Sequence, residues 1–180
     1  DTTVWQYMCS KGGHTSDDSK GFGIAINGSG EIYGFIHDGT RQALTNVGSG
    51  YNDGAWHHLA ALFDRDGNWT LYVDGAPIAN QSIATRNGSL DDPDDFFYVG
   101  RFYVADGANL KVWDGAIDDV AIWDEVLTPE EIAGLYNQRS AWARLQLVGH
   151  WELDDGAGAV ADGDITPNDL DLTDTTWNGT

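Results

Sequence analysis

Apolar residues recur at alternate positions along most of this chain, in short runs that stop at Gly, Asn and Asp. A period of two predicts strands with one buried face, and the punctuating residues supply the reversals. In residues 21–26, Phe22, Ile24 and Ile26 share one face. In residues 31–37, Ile32, Gly34 and Ile36 oppose Tyr33, Phe35 and His37. Asn27-Gly28-Ser29-Gly30 between them predicts a hairpin. A further short strand is expected at residues 41–44. Residues 56–63 and 69–73 form a second predicted hairpin across Asp64-Arg65-Asp66-Gly67-Asn68, closed by an Asp74-Gly75 turn. Trp56, His58, Ala60 and Leu62 fall on one side of its first strand, and His57, Leu59, Ala61 and Phe63 on the other. Apolar character on both sides predicts a central position in the sheet. Trp69 shares a side with Leu71 and Val73, which predicts core. Residues 96–102 and 117–123 are further predicted strands.

Helical period appears only after residue 128. Thr128 is placed to cap, Pro129 to occupy the first helical position and Glu131 to close a capping box. Ile132, Leu135 and Tyr136 share the face expected to be buried. The fold class read from these patterns is all-β with one short helix. The 180 residues, 23 of them Gly, suit one sizeable turn-rich sandwich.

Charge narrows the partners. Nine Lys and Arg against 29 Asp and Glu give a net charge of −20. That field opposes nucleic acid and anionic membrane surfaces, whose phosphates need concentrated Lys and Arg. No run is long and apolar enough for membrane insertion. The chain opens on no signal-peptide pattern, which does not argue for the cytosol. Cys9 is the single cysteine, so no intrachain disulfide forms, and its apolar surroundings predict a buried, inert thiol. Sequons at Asn27, Asn68, Asn80, Asn87 and Asn178 arise readily in a turn-rich chain.

Catalytic patterns are absent. Sandwich glycanases need paired carboxylates alternating inward on one strand, and Glu31, Glu125, Glu130, Glu131 and Glu152 form no such pattern. His57 and His58 are adjacent on a predicted strand, point to opposite faces and cannot chelate one metal together. The reading is therefore a binding module and not an enzyme. Candidate platforms for a sugar ring are Trp5, Tyr33, Trp69, Tyr98, Tyr103 and Trp113. Trp113, beside Asp114 and Gly115, and Tyr103, with Arg101 nearby, are preferred, so the expected ligand-binding set is Trp113, Tyr103, Arg101 and Tyr33.

A hairpin ending in Tyr72-Val73-Asp74-Gly75, a strand reading Gly115-Ala116-Ile117-Asp118-Asp119-Val120, and the helix start Leu127-Thr128-Pro129-Glu130-Glu131-Ile132 closely resemble the laminin G-like family over residues 5–136. The resemblance implies a concanavalin A-like jelly-roll sandwich of two antiparallel sheets, related to pentraxins, with the short helix after its closing strand. It implies an extracellular or cell-surface adhesion module whose partner is a glycan or another surface protein. In related glycanases a structural calcium sits where the closing and opening strands meet. That implicates Asp118 with Asp154 or Asp155, oxygen ligands suited to a hard cation.

The family's opening-strand pattern stands at the end of this chain, in Leu147-Val148-Gly149-His150-Trp151-Glu152-Leu153-Asp154-Asp155-Gly156. Residues 1–139 are thus read as a sandwich lacking its opening strands. Residues 140–180 are a linker plus a segment that completes this domain or begins the next repeat. A truncated tandem array, a circular permutation and strand donation between molecules all fit. A hairpin-sized tail cannot bury enough surface alone, so it is expected to pack on the main sandwich, in cis or in trans. The leading function is glycan binding. The alternative is a structural repeat of a surface fibre, self-associating through residues 147–180, and a polysaccharide-degrading domain stands third.

Overall fold

A computed structural model of the chain describes residues 5–12, 20–90, 96–102, 111–137 and 147–151. In chain order the strands are β1 (Gln6–Gly12), β2 (Lys20–Ile26), β3 (Ile32–Asp38), β4 (Arg41–Val47), β5 (Leu59–Phe63), β6 (Asn68–Val73), β7 (Ala76–Ser82), β8 (Phe97–Val99), β9 (Arg101–Phe102), β10 (Lys111–Val112), β11 (Val120–Trp123) and β12 (Leu147–Trp151). One helix, α1 (Pro129–Asn137), lies between the last two. An antiparallel five-stranded sheet runs β4-β3-β2-β1-β8 and a three-stranded one runs β5-β6-β7. The pairs β9/β10 and β11/β12 form two short ladders.

The predicted alternation sets the packing. Ile32, Leu71 and Val73 form one buried cluster between the sheets, and Ile36, Trp69 and Ile83 another. Trp69 is fully buried, stacks on Phe63 at 5.2 Å and lies against Gly34. β5 is shorter than predicted, beginning at Leu59, and β6 is the middle strand of its described sheet. The two apolar sides of β5 have another cause. Leu59, Ala61 and Phe63 pack toward the opposite sheet, while Ala60 and Leu62 pack under α1 with Tyr72, Leu127, Ile132 and Leu135.

Two predicted strands are cut by backbone that an extended residue cannot adopt. Gly100 has φ 75° and splits residues 96–102, so β8 pairs with β1 while β9 pairs with β10. Asp119 has φ 50°, and the closing strand starts at Val120. β7 carries Pro77 and Asn80, and no alternation announces it. As an edge strand, with a register irregularity opposite Leu71 and Tyr72, it tolerates the missing proline N–H.

The capping box forms as predicted. Thr128 donates its N–H to Glu131 Oε2 (2.7 Å), and Glu131 donates its N–H to Thr128 Oγ1 (3.3 Å). Thr128→Ala is expected to cost about 1 kcal/mol, a lost N-cap, and to lower the thermal midpoint by roughly 2–4 °C. A calorimetric scan checks it. Tyr136 departs from the predicted buried face. It is 47 % exposed, lying against Gly75 and near the His58 ring. Cys9 is half-buried as a whole residue but its thiol is enclosed, and burial pushes the thiol up to about 11, far from nucleophilic range. Asn27 is no exposed sequon. It is buried, and its side chain accepts from the Ser29 and Glu31 amides, closing the hairpin turn.

Candidate recognition face

The pleat that points Ile32, Gly34 and Ile36 inward points Tyr33 and Phe35 to the outer face of the five-stranded sheet. That face carries a second core: Tyr7, Ala25, Tyr33, Phe35 and Phe102, with Trp5 packed beside them. Phe102 approaches Tyr7 to 4.4 Å, and Ser10 donates its hydroxyl to Arg101 O, so β9 lies over β1 on this side. Tyr33 is therefore corrected as a ligand platform. It is 4 % exposed, its ring 5.0 Å from Trp5 and 6.1 Å from Phe35. Alternation tells one face from the other, and it does not reveal that both are covered.

The backbones of Arg101 and Trp113 come close together. The register places Val112 opposite Arg101, and Trp113 donates its N–H to Gly100 O (2.8 Å). Arg101 is exposed and its guanidinium stands 4.6 Å over the Tyr98 ring, whose edge contact with Phe96 is 6.3 Å. Phe96 is 65 % exposed and Val112 53 %. Trp113 is half-buried, and its indole N–H reaches Ala116 O over Gly115. Among the described residues Phe96, Tyr98 and Arg101 make an aromatic rim with one guanidinium, on a chain of net charge −20. Such a rim can stack on the C–H face of a sugar while the guanidinium donates to ring oxygens or a carboxylate. Phe96 and Tyr98 carry more of the surface than sequence reasoning assigned them. The signal was their spacing of two before a glycine that ends the strand. Tyr103 lies outside the described residues.

Asp118 is half-buried just ahead of β11, and its Oδ1 accepts the Asp119 N–H at 2.9 Å. Val120 pairs with Trp151, so the chain leaves β12 at the end where Asp118 and Asp119 enter β11. Asp154 and Asp155 lie outside the described residues. Among the described residues no three His, Cys, Asp or Glu side chains converge as metal ligands.

The adjacent histidines occupy opposite environments. His57 Nδ1 is 2.8 Å from Asp74 Oδ2 and its Nε2 is 3.2 Å from Asp53 Oδ1. The Asp74 bond first, then the Asp53 bond, raise its pKa above the ordinary histidine value against partial burial. His58 shifts the other way. Burial disfavours its charged form, outweighing the Asp74 charge, and its ring lies 6.0 Å from Tyr136. Sequence reasoning separated the two rings correctly but missed both carboxylates, because Asp74 reaches His57 only from a left-handed turn, φ 51°.

Two packed antiparallel sheets, a short helix after the closing strand and strand-edge aromatics, all among the described residues, define a β-sandwich of concanavalin A type. A laminin G-type family model, described as the concanavalin A-like lectin/glucanases superfamily, matches residues 2–133, and the chain belongs to that family. The chain is similar to the sushi, von Willebrand factor type A, EGF and pentraxin domain-containing protein 1 of Rattus norvegicus. That stretch is 26 % identical over 99 residues, 53 % of this chain and 3 % of that protein. It is also similar to pentraxin-4 of Homo sapiens, 30 % identical over 87 residues, 46 % of this chain and 18 % of that protein. The chain thus spans a small part of the curated relatives it matches. A solved S-layer domain-containing protein from Clostridium thermocellum aligns at 24 % identity and TM-score 0.38, over 67 % of this chain and 58 % of that one. So slight an overlap bears no weight.

Proposed function

We propose that this chain is a non-catalytic extracellular recognition module that binds a glycan at the Phe96–Tyr98–Arg101 rim. The observation that carries the reading is the Arg101 guanidinium seated on Tyr98 beside exposed Phe96. Recognition surfaces are commonly built from exposed aromatic and arginine side chains, and a rigid strand edge holds these ready to bind. Membership of a lectin-type superfamily and similarity to pentraxin-domain proteins support it. Trp113 and Tyr103 belong to the same proposed surface. A structural calcium is proposed at Asp118 with Asp154 or Asp155, where it would hold the start of β11 against the chain leaving β12. In this reading β12 completes the sandwich from within the chain.

A glycan array followed by titration calorimetry tests the site. Tyr98→Ala and Arg101→Ala are each expected to weaken binding at least tenfold, about 1.4 kcal/mol, with the fold unchanged by circular dichroism. Binding that survives both substitutions, or an array without a hit, removes the glycan reading. For calcium, chelation is expected to lower the thermal midpoint of the chain, and Asp118→Asn to abolish that sensitivity.

A further inference from the structure

We propose that His57, clamped between Asp53 and Asp74, is a proton-operated latch that fastens the loop of residues 48–56 to the turn between β6 and β7 while its ring is protonated and lets that loop go when the proton leaves. An imidazole ring with a carboxylate oxygen at hydrogen-bond distance from each nitrogen must donate at both, and only the protonated ring has two N–H groups. The distances of 2.8 Å to Asp74 and 3.2 Å to Asp53 therefore describe an imidazolium bridging two carboxylates. Neutral His57 keeps one donor. The other nitrogen then presents a lone pair to a carboxylate, and that contact repels.

The two carboxylates belong to different parts of the fold, so breaking one contact moves something. Asp74 is fixed in the turn between β6 and β7. Its Oδ1 accepts the His58 N–H at 2.9 Å, and its own N–H donates to His58 O at 2.9 Å. Asp53 rides on the exposed loop, where its Oδ1 also accepts the Ala55 N–H at 2.8 Å. The longer contact, to Asp53, is the one expected to open. The same loop is pinned to the turn between β2 and β3. Gly50 and Tyr51 donate their N–H groups to Ser29 O and Gly30 O, and the Asn52 side chain donates to Gly28 O. Among the described residues, the titratable groups facing His57 are Asp53 from the loop, Asp74 from the turn and the Tyr51 ring, whose edge lies 5.3 Å away. His58, next in sequence, is held neutral by burial and titrates in a separate, lower window. Trp56, 67 % exposed, sits on the latched segment, so the latch governs how an exposed indole is presented.

The sign follows from linkage. The folded-state pKa of His57 lies above its unfolded value near 6.5, so the latch contributes fully below that value and is lost as pH rises through the elevated one. Each unit of elevation corresponds to a tenfold change in the closed-to-open ratio. The test uses the full chain. Nitrogen-edited NMR of the imidazoles follows His57, and amide exchange at Gly50 and Tyr51, normalised to intrinsic rates, follows the loop. His57 is expected to titrate above 6.5 with both nitrogens protonated below its midpoint, and loop protection is expected to fall severalfold as the proton leaves. Asp53→Asn keeps an acceptor for the Ala55 amide and removes the charge. It is expected to shift the His57 midpoint down toward 6.5 and flatten the protection profile. A His57 midpoint at or below 6.5, protection constant across the titration, or an unaltered profile in Asp53→Asn would each overturn the latch.

Discussion

Trp69→Ala is expected to be the most damaging single substitution in the described sandwich, costing about 3–5 kcal/mol. The indole is fully buried between the sheets, stacked on Phe63 and packed with Ile36 and Ile83. Its removal leaves a cavity that two hydrogen-bonded sheets cannot close. A domain of this size is stable by only about 5–15 kcal/mol, so the loss takes a large share of the whole. Urea unfolding is expected to show a lower midpoint with an unchanged slope. The partner position sharpens the test. A Cβ at Gly34 would stand 2.4 Å from the indole, so Gly34→Ala overpacks the same contact and is expected to cost about 1–3 kcal/mol. The indole N–H is buried without a hydrogen-bond partner among the described residues. Trp69→Phe sheds that donor with less lost volume, and is expected to cost less than half of what Trp69→Ala costs. A Trp69→Ala stability within about 1 kcal/mol of the parent would mean the two sheets are not held together at this residue.

Deletion of residues 147–180 is expected to have the next largest effect. It removes β12, the strand paired with β11 from Val120–Trp151 to Trp123–Leu147. Trp123 packs with Tyr72, Leu127, Ile132 and Leu135 under the helix, so the loss of β11's partner is expected to spread into that cluster. A fall in thermal midpoint of more than about 10 °C is expected, equivalent to several kcal/mol for a chain of this length. A bared strand edge is also expected to promote association. Light scattering separates the two accounts of the tail. A monomeric full chain that becomes unstable and aggregates on deletion supports completion within one molecule. A full-chain oligomer that deletion converts to a stable monomer supports strand sharing between molecules, and moves the structural-repeat reading ahead of the glycan one.

Alternation and turn chemistry made most of the sandwich legible from the sequence. The hairpin around Asn27–Gly30, the inward set Phe22, Ile24, Ile26, Ile32 and Ile36, the core role of Trp69 and the Thr128 capping box all depend on neighbours within a few residues, and those are written locally. What escaped was non-local. Nothing near Tyr33 says that Trp5 will pack on its ring, so a buried aromatic looked available. Nothing near Leu59 says that a helix some seventy residues on will cover the outer side of its strand, so a two-faced strand looked central. The rim followed the same division. Trp113 was legible beside Asp114 and Gly115, and Arg101 near Tyr103, whereas the stacking of Arg101 on Tyr98 needed the break at Gly100 that lets the chain double back.

The pairing of β11 with β12 also has a mechanical consequence. Val120 and Trp151 face each other at one end of that ladder, and the chain enters β11 and leaves β12 there. Tension between the segment entering β11 and the segment leaving β12 therefore loads that end. The hydrogen bonds lie along the pull and break in succession, as a zipper opens, instead of sharing the load as they would in shear. Under such a pull the ladder is expected to open from the Val120–Trp151 end toward Trp123 and Leu147.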